Sequence, residues 1–425
     1  MSCEEAQELT TAILVNRDSS HSLSLEDWLT DSSSTSYIAD LDPDDVVMVF
    51  TTSGTTGYSK LVGRSHRWLF GLFEKVGADD VHYELEKQLE GATFCDRPMG
   101  WLGGYPGSTL VQGQRRVVLD RMSAAGELVN VPRLVWRVIQ TEQCHMTSFL
   151  ASEFYHVLDH VTSSYDVIDR AEWVMMGSQP VTRRLVSDLL KLFKFVFVGY
   201  GSTEAGFLAL RVVTDAEDFP DYCCGKPVYP DTVRVVNADL QDCTPGEVGT
   251  VWARGDGVIQ GYFNLLEEGD SSYTLRRPSV SFLPGGWFNT EDSGYWDHEG
   301  QIYVIGRHSD VITHGGHVVY PGWLERKLTG HPGVKAAVVV PVSDPVLHHE
   351  LCACVQPLKG CRLSEESLRE FAETMFLSTT TDDGDAAPKP KFYIVLEELP
   401  QTVNGKVDRA DLKKMAEDRF GSTQR

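Results

Sequence analysis

The chain has 425 residues, 42% hydrophobic and 23% charged, the composition of a globular protein with room for more than one core. Its formal charge is −23, from 38 Lys and Arg against 61 Asp and Glu, which argues against nucleic acid and anionic membrane as partners. A polyanionic ligand then needs a local cradle of backbone N–H groups and cations to overcome the background field.

Residues 1–44 are rich in Ser and Asp. Met1 to Asp45 holds 11 acidic residues against Arg17 alone, so a partly disordered segment is expected over 1–45. Val46-Val47-Met48-Val49-Phe50 reads as a buried strand ending in a Thr/Ser/Gly turn, with a helix near Arg67. A helical pattern from Thr182 to Phe193 leads into the apolar run Phe195 to Val198, which is α/β alternation. Val233 to Phe263 changes to short β segments punctuated by Gly and Pro, predicting a small antiparallel or barrel-like subdomain. From about Val311 a compact α+β unit is expected: helix Trp323 to Leu328, strands Ala336 to Val340 and Leu351 to Gln356, helix Glu365 to Met375, strand Tyr393 to Leu396 and a helix from Ala410.

Nine cysteines include Cys223-Cys224 and Cys352-Ala-Cys354 but no CxxC pair, so they read as reduced structural thiols. No stretch approaches the ~20 apolar residues of a membrane span, and neither a secretory leader nor a peroxisomal tripeptide is recognised at the ends. The expected location is cytoplasmic.

Thr52-Ser53-Gly54-Thr55-Thr56-Gly57-Tyr58-Ser59-Lys60 follows a strand and offers the hydroxyls, backbone N–H groups and cation that wrap phosphate oxygens. Lys60 stands three residues after Gly57, which is not the Walker A spacing. A Ser/Thr/Gly surface turn is the bland alternative. The loop resembles the signature of the adenylate-forming superfamily of acyl-CoA synthetases, luciferases and adenylation domains, and further segments match in the same order. Tyr200-Gly201-Ser202-Thr203-Glu204 resembles the adenine and magnesium motif, implying that Tyr200 stacks on the purine, Thr203 touches phosphate and Glu204 holds Mg²⁺. Gly286 to Gly294 resembles the ribose motif, with Asp292 accepting from the vicinal diol and Arg307 donating nearby. Gly306-Arg307-His308-Ser309-Asp310 resembles the hinge, with Asp310 the pivot, and Leu399 to Arg409 resembles the motif that presents a catalytic lysine, here Lys406.

The resemblance implies an α/β protein: a large domain of layered αβα sheets with a small β-rich subdomain over 46–308, and a mobile C-terminal α+β lid over 309–425. It implies that ATP, with Mg²⁺, activates a carboxylic acid, of fatty or medium chain length, to an acyl adenylate, which is then passed to CoA. Trp101, Gly177 and Ser178 fall where the acyl pocket is expected, and Gly316 in the CoA loop. His145, His314 and His317 read as structural, since the acid substrate is already ionised.

Some positions depart from the pattern. Ser59 stands for a proline, Glu291 for the glycine beside the ribose aspartate, Thr313 for a lysine and Trp323 for an acidic residue. Relatives place a segment on the order of 150 residues ahead of the phosphate loop, so an exposed sheet edge, covered by a protein partner or a second copy, is expected here. Two alternatives follow: adenylation with transfer to an acceptor other than CoA, and a non-catalytic protein that binds nucleotide or a partner.

Overall fold

The computed structural model describes residues 42–52, 60–69, 91–95, 97, 102–104, 114–119, 131–149, 151–161, 170–264, 274–278, 281–376, 388–402 and 406–421. The acidic segment through residue 41, the loop residues Ser53 to Gly57, Trp101 and the turn 403–405 lie outside the described residues.

A mixed sheet of 12 strands forms the centre of the large domain. In its parallel half, Arg115–Val117, Ala92–Cys95, Cys144–Ser148, Ala171–Met176 and Phe193–Ser202 lie side by side. Gly206–Val213 then folds back antiparallel on Phe193–Ser202, and the sheet continues antiparallel from there. The change from parallel to antiparallel pairing therefore falls on the strand that ends in Tyr200-Gly201-Ser202. Clefts of open α/β sheets form outside the carboxyl ends of such strands, so topology alone directs attention there.

Helices Val131–Thr141, Ala151–Val161 and Arg183–Leu189 cover the parallel half and share one core with it. Phe154, Leu189, Phe193 and Val196 are fully enclosed in that core, and Trp136 meets Phe193 edge-on at 5.7 Å. Each such side chain stabilises the fold by about 1.5–3 kcal/mol relative to exposure. The third helix ends at Leu189, earlier than its apolar pattern. Leu192 and Phe193 continue the pattern because they are buried where the next strand enters the same core.

The β-rich part is hydrogen-bonded into the large sheet. Val233–Val236 and Gly249–Ala253 pair with each other, and Gly249–Ala253 pairs with Trp287–Trp296, around a separate core of Val235, Val251, Phe288 and neighbours. A second, four-stranded antiparallel sheet holds Val46–Thr52, Lys60–Ser65, Tyr262–Asn264 and Thr274–Arg276 in that order.

The expected buried strand at Val46 is an edge strand instead. Only Phe50 is enclosed, at 1% exposure, while Val46, Val47 and Val49 stand 40–47% exposed. The run is apolar throughout, but it pairs with one neighbour, and no described element covers its outer face.

The C-terminal domain, expected from the sequence to act as a lid, follows the turn His308–Asp310. Its sheet is Val334–Asp344 paired antiparallel with His348–Pro357 and parallel through it to Phe392–Val395. Helices Pro321–Thr329, Glu365–Phe376 and Arg409–Phe420 complete it, and the hairpin Ile312–His314/His317–Val319 projects from its start. The lid is tied to the large domain by the Tyr222 hydroxyl donating to the Gly322 carbonyl at 2.5 Å, Arg184 donating to the Thr329 carbonyl at 2.8 Å and an Arg326–Asp221 ion pair at 3.0 Å. No described helix is long and apolar enough to cross a membrane.

Candidate active site

Thr52 and Lys60 face each other as the closing pair of an antiparallel hairpin, with residues 53–59 between them. The segment thus joins two strands, and Lys60 stands at the start of the second. Lys60, Val62 and Arg64 share one face of their strand by its two-residue period. On that face the Lys60 ammonium lies 4.8 Å from the centre of the Tyr262 ring.

The Tyr262 hydroxyl, in turn, donates to Glu204 Oε1 at 3.1 Å. Glu204 sits with Thr203 in the turn after Tyr200-Gly201-Ser202, and the turn is braced from inside. Ser202 Oγ accepts from the Ala205 N–H at 3.0 Å, and the Glu204 carbonyl accepts from the Ile259 N–H at 2.9 Å.

Tyr200 is 8% exposed, and its hydroxyl donates to Asp292 Oδ2 at 2.8 Å and lies 3.2 Å from Thr290 Oγ1. Its visible work is to orient Asp292. Burial is the main reason its phenol is held well above the usual value, and the Asp292 charge adds to it.

Asp292 and Arg307 are directly opposed on paired strands. Arg307 Nε lies 3.2 Å from Asp292 Oδ1, and Arg307 also donates to the Thr290 carbonyl at 2.7 Å. Burial raises the Asp292 carboxyl, while Arg307, Tyr200 and Lys406 pull it back. For Arg307, burial works downward and is overcome by Asp292, Tyr200 and Glu204, so the guanidinium is held above its usual value. The pair is an ion pair with one carboxylate edge tied to Tyr200.

Between them the strand is bulged. From Thr250 to Trp252 the partner strand advances from Ser293 to Asn289, so Thr290, Glu291 and Asp292 face fewer residues than they number. Glu291 takes up the distortion with φ +63°, a left-handed conformation that suits glycine, and its exposed carboxylate adds negative charge near Arg307. Glu291→Gly should therefore raise stability by about 1 kcal/mol, a rise in Tm of a few degrees. It should also lower the KM for ATP several-fold by removing a like charge from the phosphates. Melting curves and ATP titrations check both, and an unchanged KM would mean that Glu291 lies away from the nucleotide.

Lys406 is brought to this group by the lid. Its carbonyl accepts from the Thr402 N–H at 2.8 Å, Gln401 and Val407 are bridged across the loop, and the helix after it is capped by Asp408 Oδ1, which accepts from the Asp411 N–H at 3.0 Å. Burial lowers the Lys406 ammonium; Arg307 and Arg97 lower it further, and Asp292 and Glu204 oppose them. Residues some 200 positions apart in sequence thus share one electrostatic neighbourhood.

At the expected pivot, Asp310 Oδ2 lies 3.3 Å from Arg409 Nε, and Arg409 also meets Glu325 Oε1 at 2.6 Å and donates to the Val339 carbonyl. Gly177 has no room for a side chain, since a Cβ would stand 2.7 Å from the Gly199 carbonyl, and Ser178 follows it exposed with φ +64°. Gly315 and Gly316 make the left-handed turn of the lid hairpin at φ +56° and +89°, away from the Asp292–Lys406 constellation in their contacts: Gly315 N–H donates to the Leu347 carbonyl. A cleft of about 300 Å³ between the domains, lined in part by His156, Lys335 and Lys359, shares no residue with the constellation.

Among the described residues no three His, Cys, Asp or Glu side chains converge on a metal position. A single carboxylate, Glu204, is nevertheless a fitting donor for Mg²⁺, which keeps waters and takes most of its remaining ligands from substrate phosphates.

The sequence reading missed Arg64, Tyr262 and Thr290. Tyr262 and Thr290 carry no charge to mark them, but Arg64 could have been noticed as an arginine in two-residue phase with Val62.

A family model described as AMP-binding enzyme matches residues 2–263, and its companion, AMP-binding enzyme C-terminal domain, matches 324–406. Triostin synthetase I of Streptomyces triostinicus is 28% identical over 382 residues, covering 88% of this chain and 66% of that protein. The 4-coumarate–CoA ligase-like 2 protein of Arabidopsis thaliana is 26% identical over 394 residues, covering 88% and 62%. The chain therefore spans somewhat less than two thirds of the length of these relatives. Among solved structures, ATP-bound MatB from Rhodopseudomonas palustris superposes with a TM-score of 0.72 at 19% identity, covering 93% of this chain and 73% of that one, which shows a shared fold. With a family model covering more than half its length and both domains matched in order, this chain belongs to the AMP-binding enzyme family.

Proposed function

We propose that this protein activates a carboxylic acid with ATP to an acyl adenylate and then transfers the acyl group to CoA. The observation that carries the reading is the Asp292–Arg307 pair at 3.2 Å, with Asp292 also held by the Tyr200 hydroxyl at 2.8 Å and within the electrostatic reach of Glu204 and of Lys406 from the C-terminal domain. In the first step a carboxylate oxygen bonds to the α-phosphorus, the bond to the bridging oxygen of pyrophosphate breaks, and pyrophosphate leaves. Negative charge gathers on the reacting oxygens, and Lys406 is a positioned, partly desolvated cation for it. Asp292, held by Tyr200 and Arg307, would accept from the ribose diol. Mg²⁺, held at Glu204, would screen the pyrophosphate charge.

In the second step the acceptor sulfur attacks the acyl carbon, AMP departs, and the thiol proton goes to solvent. The lid hairpin that would admit CoA has no Lys or Arg between Ile312 and Val319. That single observation favours a second reading, in which the acyl group passes to an acceptor less anionic than CoA, such as an amine or a simple thiol.

The names of relatives add aromatic acids to the fatty or medium-chain class, since 4-coumarate and indoleacetate ligases are among them. Pyrophosphate release should accordingly be followed with short, medium, long and aromatic acids, then with CoA, cysteamine or an amine added. Release with one acid that is accelerated by CoA supports ligation. Acceleration only by the small acceptors supports the second reading, and no release with any acid would leave a non-catalytic nucleotide-binding protein. A cytoplasmic location is part of the proposal and is checked by fractionation.

A further inference from the structure

Arg64 is 3% exposed, which is unusual for a guanidinium with no carboxylate on it among the described residues. It donates through one terminal nitrogen to the Gly257 carbonyl at 2.6 Å and through the other to the Thr203 carbonyl at 2.5 Å. Its Cζ lies 4.5 Å from the centre of the Trp68 ring, and Trp68 is itself buried against Phe50. Burial lowers its pKa, and the nearby Glu204 charge works against that. A guanidinium bonded to two carbonyls in this setting keeps its proton.

Three separate pieces of chain meet at this one side chain. Its own strand carries Lys60 four residues earlier on the same face; the Thr203 carbonyl belongs to the turn that holds Glu204; and Gly257 packs so closely on that turn that a Cβ would stand 2.7 Å from the Ala205 carbonyl. A methionine would fill the volume without the desolvation cost of a charge. What a methionine lacks is a planar fork that fixes two carbonyls at once.

The geometry points to Arg64 as a positioning residue for the nucleotide end of the site, holding the Thr203–Glu204 turn in register with the strand that begins at Lys60. This rests on the adenylation reading for its catalytic consequence but not for its structural one. The residue touches no reacting atom; it acts through the turn.

The test uses Arg64→Met and Arg64→Lys in the full chain, with amide hydrogen exchange across 200–208 and separate KM values for ATP and acid. In Arg64→Met the turn amides should exchange about tenfold faster or more while the sheet strands keep their protection, as expected for loss of two charge-assisted hydrogen bonds. The KM for ATP should rise about tenfold and that for the acid should stay within about twofold. Arg64→Lys, which keeps the charge but loses the fork, should fall between wild type and Arg64→Met in both readouts. Unchanged exchange in the turn, or KM values for ATP and acid that rise together, would overturn the assignment. If Arg64→Met does not fold, Arg64→Lys decides it by the same two readouts. If wild type releases no pyrophosphate with any acid, the proposed function fails, and the exchange data still decide whether Arg64 holds the turn.

Discussion

Lys406→Ala should reduce acid-dependent pyrophosphate release by about 10²–10³-fold, the usual effect of removing one preorganised charge donor. The fold should survive, because the Lys406 loop is closed through the backbone, from Thr402 to the Lys406 carbonyl and across the Gln401–Val407 bridge, and none of these bonds needs the ammonium. Removing a desolvated cation that also feels Arg307 and Arg97 leaves stability unchanged or slightly raised. The loss should thus appear in kcat at nearly constant Tm. The direction of the Lys406 shift gives a second signature. Burial and the two arginines lower its pKa, so the ammonium loses its proton at a lower pH than an ordinary lysine, whose pKa is about 10.4. Because the protonated form is the useful one, the rate should fall on the alkaline side beginning below that value. Lys406→Arg should move the limb upward, whatever its residual rate. A limb that is the same in both proteins would assign it to another group.

Gly201→Ala should cost at least about 1–3 kcal/mol and abolish adenylation with it. A Cβ at this position would stand 2.1 Å from the Gly206 carbonyl and 3.1 Å from the Phe207 Cα, and these are backbone atoms of the partner strand that cannot rotate away. The pairing Gly201↔Phe207 and Ser202↔Gly206 closes the hairpin from which Thr203 and Glu204 project. Opening it displaces both residues at once and frees the Tyr200 hydroxyl from Asp292. Gly103→Ala is the control, since a Cβ there meets nothing within 4 Å among the described residues and its φ is ordinary. It should change stability by no more than about 0.5 kcal/mol. A Gly201→Ala protein that melts with wild type and still releases pyrophosphate would show that the turn tolerates a looser closure than its geometry allows.

Much of the lid was legible in the sequence because its elements are short and strongly patterned. The runs Ala336 to Val340 and Leu351 to Gln356 fall within observed strands, and the helices expected at Trp323, Glu365 and Ala410 are present. The Val46 run misled because an apolar strand says nothing about which neighbours arrive to cover it, and here it lies at a sheet edge. The β segments after Val233 were recognised as strands, but their continuity with the large sheet depends on pairing with Trp287–Trp296, which is distant in sequence. At the site, charged residues were visible and their supports were not. Asp292 and Arg307 stand out by type, whereas the orienting hydroxyls of Tyr200 and Tyr262 act through contacts 92 and 58 residues away. The Glu291 substitution was visible as a charge; that it also occupies a left-handed bulge position emerges only from the strand register.

The most direct test of the whole account is acid-dependent exchange of labelled pyrophosphate into ATP, because it requires the first step alone and is indifferent to the acceptor. Exchange should need Mg²⁺ and a particular class of carboxylic acid and disappear in Lys406→Ala. A folded, monodisperse protein that binds ATP yet shows no exchange with any acid would contradict it.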